Sequence, residues 1–131
     1  MPLEPMPSPE TSRFKSQPGL VRIARAARYS WQGLLAAWRH EAAFRQELAL
    51  VLPALVAGWV WAPGGWQRVA LVGSAVLVLV VELLNSAIEA LADAISTDAH
   101  PLLGRAKDLG SAAVMLTLGL ALATWLMVFW P

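Results

Sequence analysis

The sequence predicts an all-α membrane protein with three transmembrane helices and an N-terminal amphipathic surface helix. Composition is the first observation behind this. Of 131 residues, 57% are hydrophobic and only 15% are charged, with mean hydropathy +0.54, whereas a soluble domain is about a quarter charged. The second is the occurrence of long apolar stretches separated by Pro, Gly and polar residues and edged by tryptophan, as expected of spans with aromatic belts. The chain has no cysteine, which excludes disulfide and thiolate chemistry and leaves the redox compartment unreadable.

Residues 1–19, MPLEPMPSPETSRFKSQPG, are rich in Pro and Ser and have no apolar periodicity. They predict a disordered tail, and without an apolar core they are not a signal peptide. The remaining residues, 20–131, form one membrane domain. Over 20–38, LVRIARAARYSWQGLLAAW, apolar residues recur at helical spacing while Arg22, Arg25 and Arg28 lie to another side. That pattern suits a helix lying in the membrane surface, with Gly33 as a candidate break. A first span follows at 41–62, kinked at Pro53 and closed by Pro63-Gly64-Gly65. Its apolar part is short, so the turn from Glu41 to Glu47 must lie at the interface or be shielded. The second span runs over 66–97, STDAHPLLGRAKD is a loop containing Pro101 and Gly104, and the third span covers 104–130.

Seven basic residues lie between Arg13 and Arg45, and Arg105 and Lys107 in the second loop, while the first loop carries only Arg68. Such a basic cluster could suggest nucleic acid. Beside apolar spans it marks membrane topology instead, with the N-terminus and second loop cytoplasmic.

The second span ends in VVELLNSAIEALADAIS, where Glu82, Asn85, Ser86, Glu89 and Asp93 share one helical face. An ionisable residue inside a membrane helix costs roughly 2.5–3.5 kcal/mol, so the stripe must face protein or water. A lone three-helix chain has little interior, which argues for an oligomer. A polar seam gluing helices together would account for Asn85 and Ser86. It explains two glutamates poorly, because carboxylates repel unless protonated or metal-bound. Glu82 and Glu89 lie seven residues apart, roughly 10 Å along the axis, so both are poorly placed to clasp one ion. The deeper Glu82 suits a base and the shallower Glu89 a Mg²⁺ ligand, since Mg²⁺ takes one or two carboxylates plus substrate phosphates. Glu41 is the natural second carboxylate and Glu47 the alternative. In GRAKDLGS, Arg105 and Lys107 could neutralise phosphate and Gly104 and Gly110 permit close backbone approach, a weak signal by itself because basic residues at helix ends are commonly topological anchors. No P-loop, dinucleotide-binding glycine motif or protein-kinase signature is present. His40 and His100 have no zinc-ligand spacing.

ELLNSAIEALAD, with YSWQGLLAAW, EAAFRQE and GRAKDLGSAAV in the same order, resembles the small integral-membrane diacylglycerol kinases of bacteria over about residue 20 to the C-terminus. EAAFRQE resembles the diacylglycerol-type members more than the undecaprenol kinases of the same superfamily. The resemblance implies a homotrimer in the bacterial cytoplasmic membrane, with active sites shared between neighbouring subunits and ATP, Mg²⁺ and diacylglycerol as ligands. It implies Glu82 as the catalytic base, Asn85 as the residue orienting groups at the γ-phosphate, and Glu41 and Glu89 as Mg²⁺ ligands. Arg22, Tyr29, Asp98, His100, Lys107 and Asp108 would join those two glutamates around ATP. Arg22, Ser30, Trp31, Gln46, Glu47, Ser111 and Trp125, with Glu82, would border the lipid. Ala92 stands where the family often has valine, and Asp98 where a longer acid is found. An undecaprenol kinase would share every nucleotide and metal residue. A non-enzymatic oligomer would use the stripe as pore or glue, and gives Glu41 and Lys107-Asp108 no common purpose.

Overall fold

The computed structural model describes residues 19–130. Of the tail expected at 1–19, only Gly19 falls among them. Ala- and Leu-rich sequence from here on favours helix, and the backbone leaves it only at short polar or Pro/Gly-bearing joints. Four helices result: α1 Gly19–His40, α2 Ala42–Trp61, α3 Gly65–Ile95 and α4 Pro101–Phe129. The chain divides into two compact units, one ending at Leu35 and the other beginning at Ala36.

In the first unit α1 runs straight through Gly33, which has nothing within 4 Å of its Cβ position. An interior glycine costs a helix about 1 kcal/mol, too little to end it. At the start of the second unit a single extended residue, Glu41, separates α1 from α2. Arg45 secures this joint by donating to the Trp38 carbonyl at 2.9 Å, covering one of the acceptors that a helix C-terminus leaves open. Pro53 lies inside α2 without ending it.

The second joint departs further from expectation. Residues 96–108 do not form one loop: α4 begins at Pro101, and Gly104 lies within it. Proline suits the first helical position because its missing N–H is not needed there. His100 caps the new start, its Nδ1 accepting from Leu102 N at 3.2 Å.

Helices α2, α3 and α4 are each long and apolar enough to cross a membrane. α3 is central and packs against both of the others. Its first half buries Leu71, Ala75 and Val78, the last two in a cluster with Val51 of α2. Gly58 of α2 permits the tightest approach there: a Cβ on it would stand 3.1 Å from Leu71 Cβ and 3.5 Å from the Trp125 ring. At 31 and 29 residues, α3 and α4 exceed the roughly 20 residues that cross the hydrocarbon layer. Both therefore extend beyond it by several turns.

Candidate active site

Counting about 20 residues from the interfacial Trp66 reaches Asn85. The acidic end of α3 thus straddles the membrane boundary. Glu82 falls within that length of helix, and Glu89 and Asp93 fall beyond it. All share one helical face, and the two at the boundary are turned inward: Glu82 is 3% exposed and Asn85 8%. Asn85 Nδ2 donates to Glu89 Oε1 at 3.0 Å, while its buried Oδ1 has no hydrogen-bond partner among the described residues.

Glu41 enters the site from the α1–α2 joint. Glutamate is a poor helix cap, and its side chain makes no capping bond, so the carboxylate is free for other contacts. Glu41, Glu47 and Glu89 all lie within electrostatic reach of Glu82. Buried Glu47 Oε2 has no hydrogen-bond partner among the described residues. Four acids in one region repel each other and favour a cation. Among the described residues no three of them converge as ligands to a single ion. That donor set fits Mg²⁺, which takes one or two protein carboxylates and completes its shell with phosphate oxygens and water.

Two openings flank this face. Towards the α3–α4 joint, a cleft of about 470 Å³ is lined by Asp93, Ser96, Asp98, His100 and Lys107. Lys107 Nζ is paired with Asp93 Oδ1 at 2.5 Å across the helix hairpin and lies within electrostatic reach of Glu89. On the other side, an apolar groove of about 340 Å³ runs from Glu47 past Val51, Val78 and Ala121 to Trp125. Along α3 the groove reaches Val78 and the cleft reaches Asp93, and Glu82, Asn85 and Glu89 lie between them.

Of the expected site residues, the second unit brings Glu41, Glu47, Glu82, Asn85 and Glu89 together, with Lys107, Asp98 and His100 around the adjoining cleft. Gln46, Asp108 and Ser111 lie in the N-terminal halves of α2 and α4 and are exposed. Trp125 lies at the far end of the groove, over Gly58 and against Phe129 at 5.8 Å between ring centroids. Arg22, Tyr29, Ser30 and Trp31 are exposed on α1. Two contacts were not foreseen from the sequence. Asp93 tethers Lys107, and opposite charges fourteen residues apart across a Pro-containing joint were the available signal. Gly110, expected with Gly104 to permit close backbone approach to phosphate, lies against the Asn85 side chain instead, and Gly104 has nothing beside it.

Residues 28–129 match the model of the prokaryotic diacylglycerol kinase family. The chain belongs to that family. It is 50% identical over 113 residues to a diacylglycerol kinase of Escherichia coli K12, covering 86% of this chain and 92% of that one. A diacylglycerol kinase of Pseudomonas aeruginosa PAO1 is 45% identical over 114 residues, covering 87% and 93%. One from Haemophilus influenzae is 37% identical over 107 residues, covering 82% and 91%. Coverage therefore reaches from α1 through α4 and includes the whole acidic face of α3.

Proposed function

We propose that this chain catalyses ATP-dependent phosphorylation of the primary hydroxyl of diacylglycerol at the membrane surface, giving phosphatidic acid and ADP. One observation carries the reading: the acidic face of α3, buried at Glu82 and Asn85, lies between an apolar groove and a cleft edged by Asp93, Asp98, His100 and Lys107. A lipid alcohol and a water-soluble phosphate donor need that arrangement to meet.

The diacylglycerol would lie in the groove with its hydroxyl towards Glu82, bordered by Ser30, Trp31, Gln46, Glu47, Ser111 and Trp125. ATP would occupy the cleft, held by Lys107, Asp108, Asp98 and His100, with Arg22 and Tyr29 from α1. Glu82 accepts the hydroxyl proton as the lipid oxygen attacks the γ-phosphorus in line. The bond from that phosphorus to the ADP oxygen breaks, and no residue is phosphorylated on the way. Asn85 orients the γ-phosphoryl group. Glu41 and Glu89 would hold Mg²⁺, which neutralises phosphate charge when bound. Positioning and charge neutralisation supply most of the catalysis in such transfers, and general-base help contributes about 10²–10⁴-fold.

The working form is a homotrimer in the bacterial cytoplasmic membrane. Its N-terminus is cytoplasmic, and α1 lies on the membrane surface. Two features support this: cations concentrate before Arg45 and after Arg105, and one chain leaves Asp108 and Ser111 exposed beside the acidic face.

The test is ATP-dependent labelling in mixed micelles, offering diacylglycerol and undecaprenol in parallel, with Glu82→Gln as control. Phosphatidic acid formed by the wild type and lost in the variant supports reaction and base together. Preferential labelling of undecaprenol overturns the acceptor, and no ATP-dependent product from assembled protein overturns the enzyme.

A further inference from the structure

The chain contains a single asparagine, Asn85, and its carboxamide orientation is decided on the neighbouring helix. Opposite it on α4 lies Gly110, also buried. A Cβ built on Gly110 would overlap Asn85 Oδ1, stand 3.3 Å from Asn85 Cγ and 3.8 Å from Asn85 Cα. The last distance shows that a methyl group here would also reach the backbone of α3. The Asn85 side chain occupies the space that methyl group would need. Gly104 and Gly119 on the same helix have nothing within 4 Å of their Cβ positions, so the close contact is particular to Gly110.

We propose that Gly110 is a positioning residue. Its missing side chain makes the niche that holds the Asn85 carboxamide, with Nδ2 on Glu89 and Oδ1 in the space a Cβ would fill. An alanine at 110 forces the carboxamide into another rotamer, the 3.0 Å bond to Glu89 Oε1 breaks, and Glu89 loses the donor that orients it. The inference rests on the kinase reading for its consequence but not for its geometry. A glycine serving only close helix packing would act on assembly, independently of Asn85.

The single asparagine makes a direct test possible. Protein labelled with ¹⁵N-asparagine shows one side-chain NH₂ pair, free of overlap. In the wild type one of its protons is expected to be shifted and protected by the bond to Glu89. In Gly110→Ala the pair moves towards free-carboxamide positions and exchanges about tenfold faster, as for one lost hydrogen bond. Phosphorylation falls by about tenfold or more, with a raised requirement for Mg²⁺. In an Asn85→Ala background the same glycine change costs the residual activity less than about twofold, because linked effects are not additive. If Gly110→Ala does not assemble, Asn85→Ala/Gly110→Ala restores assembly by emptying the niche. An unchanged NH₂ pair in Gly110→Ala, or equal losses in both backgrounds, overturns the proposal. A shifted pair in a protein whose wild type phosphorylates nothing keeps the niche and overturns the kinase reading alone.

Discussion

The two halves of α3 meet their neighbours through the same device and use it for opposite ends. In the first half, Gly58 of α2 lets an apolar residue, Leu71, and the Trp125 ring come close. In the second, Gly110 of α4 admits a carboxamide. Around Leu71, Ala75 and Val78 every inward group is satisfied by van der Waals contact, the main source of helix association where lipid is as apolar as the side chains. Around Glu82, Asn85 and Glu89 the inward groups are charged or polar, and Asn85 Oδ1 has no partner among the described residues. Leaving a buried acceptor unpaired costs about 1–3 kcal/mol. The cluster around Leu71, Ala75 and Val78 is apolar packing, while the stretch from Glu82 to Glu89 turns carboxylate and amide groups inward.

That contrast can be broken from either side. The largest effect is expected from Glu82→Gln, an isosteric change in the polar half. It should lower turnover by about 10²–10⁴-fold, the range for a lost general base, while gel filtration and thermal unfolding stay near wild type. Full activity in this variant would remove Glu82 from the chemistry. Leu71→Ala, in the apolar half, should do the reverse. Leu71 is 0% exposed, and a cavity there should cost about 2 kcal/mol, read as a lower unfolding midpoint in detergent with kcat per folded protein retained. Gly58→Ala sharpens the comparison by overfilling the same contact. Its Cβ would stand 3.1 Å from Leu71 Cβ, and overpacking costs about 1–3 kcal/mol, so stability falls with little change in KM for ATP. The smallest effect belongs to Asp93→Asn. It releases Lys107 from an exposed ion pair, so the unfolding midpoint should hardly move. KM for MgATP should rise a few-fold with kcat unchanged, and a large loss of stability would contradict the reading of this pair as a tether.

Much of this contrast was legible in the residue order. The three apolar helices follow from hydropathy, and the polar stripe follows from the spacing of Glu82, Asn85, Glu89 and Asp93, because helical geometry alone puts such positions on one face. The α3–α4 joint was read less well. Pro101 and Gly104 suggested a loop through residue 108, yet proline is well suited to open a helix, and the His100 side chain caps it. Local breaker signals do not distinguish a helix stop from a helix start without knowledge of which backbone groups find partners. Gly33 misled in the same direction, since one interior glycine is too weak to end a long helix.

By itself the sequence determined which segments enter the membrane, which face of α3 carries acid and which family the chain belongs to. These depend on composition, period and short motifs, all of them properties of neighbours along the chain. Tertiary structure alone decided that Asp93 holds Lys107, that Glu82 lies between an apolar groove and a cleft edged by Asp93 and Lys107, and that Gly110 leaves room for Asn85. Each of these depends on the register between α3 and its neighbours. Register is set by the sum of side-chain volumes along whole helices, and no single stretch of residues encodes it.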